Sequence, residues 1–174
     1  LPRLRADLED LVRIESVSAD PARAGEVRRS AEAVADLLRA EGIDDVSIVA
    51  AEGGAPAVIA RVPAPEGAPT VLLYAHHDVQ PEGDHALWDS PPFEPTERDS
   101  PAGRRLFGRG AADDKAGVVA HLGALRLLGD ELGVGVTVFV EGEEEVGSTT
   151  LPMLLAEHRD TLAADVIVIA DSTN

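Results

Sequence analysis

The sequence has no cysteine, few aromatic residues and a shortage of positive charge. Without cysteine, disulfides, thiolate zinc sites and cysteine nucleophiles are excluded, and a reducing, cytoplasmic location is favoured. The 15 Lys and Arg residues against 32 Asp and Glu residues give a net charge of −17. Such a charge repels nucleic-acid phosphates and anionic membrane surfaces, and no apolar run approaches the roughly 20 residues of a membrane span. We therefore expect neither a nucleic acid nor a membrane as a partner.

The 174 residues are 44% hydrophobic, which is enough for a core, and their pattern alternates between helices and strands. Helical periodicity is found around Leu4–Val12, Val27–Leu38, Ala116–Leu128 and Ser148–His158. Apolar or β-branched runs predict strands over Val46–Ala50, Ala57–Val62, Thr70–Ala75, Val134–Val140 and Asp165–Ala170, with Val166–Ile169 buried. The first two strands are predicted to form a hairpin, and Pro81–Arg105 a long irregular loop. This alternation predicts an α/β fold, with a mostly parallel central sheet flanked by helices.

In such a sheet ligands bind beyond the carboxyl ends of the strands, so the residues that follow each strand are the first candidates for a site. His76-His77-Asp78 follows the strand Thr70–Ala75. Alternate residues of an extended chain share a face, which places His76 and Asp78 on the same side. Histidine is a common metal ligand and a nearby carboxylate can orient its ring. From this segment alone, an equally good interpretation is that both histidines are solvated loop residues beside an Asp in a turn.

Three further acidic segments are candidates for the site: one opens a helix, and two follow predicted strands. Asp113 and Asp114 open the helix over Ala116–Leu128, where one Asp is explained as a helix cap but two suit a cation site equally well. A run of three Glu residues, Glu143 to Glu145, follows the strand Val134–Val140 and would otherwise be a solvated face. Asp171 follows the last strand, where a lone Asp is usually a turn residue. Taken together, imidazole and carboxylates at four positions predict a divalent metal site, with zinc favoured by the histidine and two metals by the surplus of carboxylates.

At these residues the chain resembles the M20 family of metallopeptidases, which includes carboxypeptidases, dipeptidases and acyl-amino-acid deacylases. The matching segments, in the order of the family, are LLYAHHDVQP, LFGRGAADDKAG, FVEGEEEVGS and VIVIADS. The resemblance spans nearly the whole chain and implies the catalytic-domain fold of zinc aminopeptidases and carboxypeptidases.

The resemblance also implies roles for individual residues. His76 matches a ligand of the first metal, and Asp78 matches the residue that orients this histidine. Asp113 matches the ligand that bridges two metals, and Asp171 the remaining ligand of the first. The peptide bond between Asp113 and Asp114 is expected to be cis, an otherwise rare geometry.

The pattern Glu-Glu-x-Gly-Ser selects two residues of the Glu run. Glu144 matches the general base and Glu145 a ligand of the second metal. The implied reaction is metal-assisted hydrolysis of an amide bond, with two Zn²⁺ ions in a complete site and Co²⁺ or Mn²⁺ as alternatives.

Two features of the family are missing from the sequence: a late histidine that completes the second metal site, and an inserted lid domain through which family members commonly form homodimers. His85, His121 and His158 do not match the late position. We therefore expect residues 1–174 to be the N-terminal portion of a catalytic domain that binds metal weakly or singly and has little activity alone.

The substrate is expected to be a short peptide or an N-acyl amino acid. Asp-Val-Gln-Pro at 78–81 and the segment Trp88–Phe93 are more similar to the dipeptidase branch, although the two aromatic side chains are better explained as anchors of a long loop. An N-acyl-amino-acid deacylase with the same metal centre and a non-catalytic cation-binding module are the alternatives.

Overall fold

The computed structural model describes residues 2–101 and 103–171. Its α-helices are α1 (Pro2–Val12), α2 (Ala24–Ala40), α3 (Lys115–Leu128) and α4 (Leu151–Glu157). Its strands are β1 (Asp45–Val49), β2 (Ala57–Val62), β3 (Thr70–His76), β4 (Thr96–Ser100), β5 (Gly103–Phe107), β6 (Gly135–Glu141) and β7 (Val166–Ile169). The predicted helices and strands are thus all present, with ends shifted by a few residues.

Five strands form one sheet in the order β1–β2–β6–β3–β7. β3 runs parallel to β6 and β7, whereas β2 runs antiparallel to β1 and β6. Four of the five strands therefore point the same way, and β1 and β2 form the predicted hairpin. The prediction of a mostly parallel sheet is confirmed.

Helices cover both faces of this sheet because alternate residues of its inner strands point to opposite sides. On one face, residues such as Leu11, Val34 and Leu122 of α1, α2 and α3 pack against β-strand residues that include Val58 and Val138. On the other face, the side chain of Leu154 in α4 packs in a second cluster with side chains from β2, β3 and β6. This layered arrangement confirms the α/β class.

Two parts of the chain differ from the sequence predictions. The stretch Pro81–Arg105 contains most of a second β-sheet, the antiparallel hairpin of β4 and β5. Its strands are mostly polar and charged and have no alternating apolar pattern. The guanidinium of Arg98 lies 3.8 Å from the centre of the Phe107 ring. Val166–Ile169 is a strand but is not buried: its side chains are 43% to 62% exposed, since β7 lies at the edge of the described sheet.

A buried lysine connects α1 to the start of α3. The Lys115 side chain is fully buried, and its Nζ donates hydrogen bonds to the carbonyl oxygens of Leu11 (2.8 Å) and Ile14 (2.7 Å). These carbonyls lie at the C-terminal end of α1, where a helix leaves carbonyl groups without partners and favours a positive charge. The contact fixes the segment before α3 against the N-terminal helix.

Within the described residues no helix is long and apolar enough to cross a membrane.

Gly142, directly after β6, allows the chain to pass close to the segment before β2. A Cβ atom at this position would lie 2.2 Å from the carbonyl oxygen of Pro56 and 2.8 Å from His77 Nε2. Both atoms belong to one hydrogen bond, in which His77 Nε2 donates to the Pro56 oxygen over 2.8 Å. A side chain at Gly142 would therefore break this contact.

We expect Gly142→Ala to lower the free energy of unfolding by about 3 kcal/mol, as overpacking against backbone does. The matched control is Gly25→Ala in α2, where an added Cβ meets nothing within 4 Å. Because alanine is a better helix former than glycine, the control should leave stability unchanged or raise it by up to about 1 kcal/mol. Urea denaturation followed by circular dichroism measures both, and an equal stability of the two variants would contradict the prediction.

Candidate metal centre

The candidate site lies at the edge of the sheet where three neighbouring parallel strands end. β3 ends at His76 and β6 at Glu141, and these two residues are register partners. β7 ends two residues before Asp171. The segments that carry the predicted site residues therefore leave the sheet side by side, as the rule for α/β sheets anticipates.

His76 is the fixed centre of this site. Its side chain is fully buried, and Nδ1 donates a hydrogen bond to the backbone carbonyl oxygen of Asp78 over 3.0 Å. A carbonyl oxygen only accepts, so Nδ1 carries a proton, and Nε2 can offer its lone pair once a cation replaces the proton there. Nε2 lies 3.0 Å from Asp113 Oδ1, 3.8 Å from Glu144 Oε2 and 3.9 Å from Asp171 Oδ2. A histidine that donates one ring N–H to the protein and directs the other nitrogen at carboxylates has the arrangement of a metal ligand.

The donor atoms of three predicted ligands converge. One ligand atom each of His76, Asp113 and Asp171 lies within 4.8 Å of the other two. One imidazole nitrogen and two carboxylate oxygens suit zinc and related divalent ions. A proton on Nε2 can bond only one of the carboxylates, whereas a divalent cation attracts all of them. The residues present therefore fit a metal ion.

The carboxylates around His76 also alter its pKa. Burial alone lowers the pKa of the imidazole, but the hydrogen bond to Asp78 and the nearby carboxylates outweigh burial and raise it to about 10. The site is thus strongly negative and attracts positive charge in any form. The pKa of Asp78 is lowered, since hydrogen bonds from His76 and Ser18 outweigh its burial, and this carboxylate stays ionised.

Glu144 and Glu145 lie on a short 3₁₀ turn after β6, at 144–146. Glu144 is near His76, and burial together with the charges of Glu145 and Asp171 raises the pKa of its carboxyl group. The Glu145 carboxylate is held by Gln80, whose backbone N–H donates to Oε1 (3.2 Å) and whose Nε2 donates to Oε2 (2.8 Å). Glu145 is not one of the three residues whose ligand atoms converge.

The residues of the same type next to His76, Asp113 and Glu144 bond to the surrounding protein instead of facing the site. His77 is fully buried with Nε2 bonded to Pro56, and burial lowers its pKa to about 4, so it stays neutral. Asp114 caps α3 by accepting from the N–H of Gly117, accepts from the N–H of His76, and has its pKa raised by burial to about 6. Glu143 is buried and accepts hydrogen bonds from the backbone N–H groups of Ala55 and Thr150.

These contacts decide several alternatives that the sequence left open. His76 and His77, at the end of β3 and directly after it, are buried rather than solvated, and only two of the three Glu residues remain at the site. The peptide bond between Asp113 and Asp114 is cis, as the resemblance implied. His121 is buried, with Nε2 2.8 Å from the carbonyl oxygen of Tyr74. The roles of Asp78, Glu144, Glu145 and the three ligands stay predictions.

Sequence reasoning missed two residues that contact the site. Gln80 holds Glu145, and Ser18 donates a hydrogen bond to Asp78 from a segment 60 residues earlier. Gln80 belongs to the quoted segment LLYAHHDVQP, so its position in the motif was a usable signal. Ser18 had none, since nothing local in the sequence connects the end of α1 to the end of β3.

Comparison with known proteins agrees with this site. Residues 72–174 match peptidase family M20/M25/M40. The chain is 44% identical over 110 residues to a cysteinylglycine-S-conjugate dipeptidase of Corynebacterium striatum, covering 62% of this chain and 23% of the relative. It is 33% identical over 177 residues to a Beta-Ala-His dipeptidase of Rattus norvegicus, covering 99% of this chain and 33% of the relative.

Solved structures give the same result. Human carnosine dipeptidase 1 superposes with a TM-score of 0.85 at 28% identity, covering 99% of this chain and 39% of that one. The M20 metallo-carboxypeptidase Sso-CP2 of Sulfolobus solfataricus superposes with a TM-score of 0.82 at 29% identity, covering 97% of this chain and 37% of that one. The chain thus spans between about a quarter and two fifths of the length of these relatives. Since the family match extends over more than half of its residues and includes the whole candidate site, the chain belongs to peptidase family M20/M25/M40.

Proposed function

We propose that this chain contributes the metal centre and general base of a dipeptidase, a hydrolase that cleaves the amide bond of short peptides. The observation that supports the proposal is the convergence of His76, Asp113 and Asp171 on one point, with Glu144 beside it. The matched relatives named as dipeptidases support dipeptides over N-acyl amino acids as substrates. We also propose a cytoplasmic location, because the sequence has no cysteine, and a homodimer for the full-length protein, because the family resemblance implies one.

The proposed metal is Zn²⁺, held first by His76, Asp113 and Asp171 and, at a second position, by Asp113 and Glu145. A bound divalent ion supplies Lewis-acid chemistry, since it polarises a carbonyl group and lowers the pKa of water. The first position has three ligands that already face one another. The second has two, one of which is held by Gln80, so it is expected to be the weaker.

Glu144 is proposed to move the proton. Its side chain is 37% exposed and its pKa is raised, so its carboxylate can both accept a proton from an attacking water and release it to the leaving amine. Asp78 holds the orientation of His76. This orientation fixes the distance between Glu144 and the metal ligands. The buried neighbours His77, Asp114 and Glu143 keep the backbone of the site in place.

We predict that the dialysed chain binds one Zn²⁺ tightly and a second one weakly, as isothermal titration calorimetry would measure. Asp171→Asn should weaken the tight site more than about 100-fold, beyond the usual effect of an outer-shell change. Asp44→Asn is the charge-matched control, because Asp44 is exposed at the opposite end of the sheet. Two equally tight ions in the wild type, or equal affinities of the two variants, would contradict the prediction.

We further predict that Glu144→Gln in the full-length protein lowers kcat by about 10²- to 10⁴-fold, the usual contribution of a general base. Zinc affinity should stay unchanged, because Glu144 is not among the three converging ligands. Glu157→Gln, an exposed residue of α4, is the matched control. The assay compares a set of dipeptides with N-acetyl amino acids. Unchanged turnover would remove Glu144 from this role, and a preference for N-acetyl amino acids would identify a deacylase instead.

A further inference from the structure

The Asp78 carboxylate receives hydrogen bonds from two distant segments of the chain. Ser18 Oγ donates to Oδ2 over 2.6 Å. The backbone N–H of Glu144 donates to Oδ1 and that of Glu145 to Oδ2, each over 3.2 Å. The ring of His76 lies on the remaining side, with Nδ1 3.4 Å from Oδ1. One fully buried carboxylate therefore contacts both the first metal ligand and the backbone of the turn that carries the base.

We propose that Ser18 is a positioning residue for the metal centre, acting through Asp78. In this proposal, which rests on the proposed function, Asp78 does more than orient His76. It also fixes the turn of Glu144 and Glu145, and the Ser18 hydroxyl holds the carboxylate in the one orientation that serves both tasks.

The need for Ser18 follows from the cost of a buried charge. A carboxylate removed from water needs its lone pairs filled by donors, and here the donors are neutral apart from His76. Among the described residues no Lys or Arg forms an ion pair with Asp78. The Ser18 contact is shorter than the two from the backbone, and charge-assisted hydrogen bonds of this kind are the strong ones. Without it, Oδ2 keeps only the N–H donor of Glu145, and the carboxylate is held less firmly in its orientation.

Ser18 is itself fixed by the backbone. Val17 and Val79 form a parallel β-bridge, and the N–H of Val79 donates to the carbonyl oxygen of Ser16 over 3.0 Å. The segment after α1 therefore runs alongside the segment after β3, and the hydroxyl of Ser18 faces Asp78 without a flexible connection. A short side chain on a fixed backbone sets a position more precisely than a long one.

The same neighbourhood offers a matched control. Ser30 of α2 is fully buried and donates to the carbonyl oxygen of His77 over 3.2 Å. This oxygen also accepts from Ser16 Oγ over 2.7 Å, so it stays satisfied when Ser30 is changed. Ser30→Ala thus removes a buried hydroxyl that bonds the residue next to Asp78 but leaves the Asp78 carboxylate untouched.

The experiment compares wild type, Ser18→Ala, Ser18→Thr and Ser30→Ala as purified chains. Three quantities are measured: Zn²⁺ affinity by calorimetry, amide hydrogen exchange of Glu144 and Glu145 by NMR without metal, and Tm. For Ser18→Ala we expect about tenfold weaker zinc binding, at the lower end of the usual effect of an outer-shell residue, and about tenfold faster exchange at both amides. Ser18→Thr keeps the hydroxyl and should restore both, whereas Ser30→Ala should change Tm only.

The outcomes separate this inference from the proposed function. If the wild type binds no zinc, the proposed function fails, and the amide exchange still decides whether Ser18 holds the turn. If the wild type binds zinc but Ser18→Ala matches Ser30→Ala in affinity and exchange, the positioning role of Ser18 is overturned. A Ser18→Ala chain that does not fold leaves the decision to Ser18→Thr, whose failure to keep wild-type affinity and exchange while folded would equally overturn it.

Discussion

Mutual repulsion of carboxylates at one edge of the sheet is the constraint around which this structure is built. Asp78, Asp113, Glu144 and Asp171 surround the single imidazole of His76, with every closest distance to its ring below 4 Å. Carboxylates gathered around one ring repel one another and oppose folding unless a proton or a cation compensates their charge. Uncharged donors hold two of the carboxylates here: Ser18 and two backbone N–H groups bond Asp78, and Gln80 bonds Glu145. The bonds that stabilise these two charges also fix the position of both carboxylates.

Adjacent residues of one chemical type divide this work between the site and the scaffold. His76 faces the carboxylates while His77 bonds Pro56, and Asp113 faces the site while Asp114 caps α3. Glu144 points to the site while Glu143 ties the segments at Ala55 and Thr150 together. Alternation of direction along extended or turning chain makes this division available to any pair of neighbours. Each reactive side chain is thus anchored within one residue of its own position.

This division also explains how far the sequence could be interpreted. Apolar periodicity predicted the sheet, and the strand ends predicted which segments meet. Spacing alone could not decide which member of His76-His77 or Asp113-Asp114 faces the site, and there the family resemblance supplied the choice. The hairpin of β4 and β5 was missed because its strands lack an apolar face. Ser18 was missed because its contact with Asp78 spans 60 residues and depends on how α1 packs, which no local pattern records.

The position of Gln80 bears on why we expect the two proposed metal positions to differ in affinity. Its side-chain amide donates to both the carboxylate and the backbone oxygen of Glu145, over 2.8 and 2.9 Å. A neutral amide thus already stabilises this carboxylate, whose pKa burial and the charge of Asp113 raise. A cation at the second position has to share Glu145 with Gln80, whereas His76, Asp113 and Asp171 already converge on the first. The difference in affinity that we expect between the two positions follows from this competition as well as from the number of ligands.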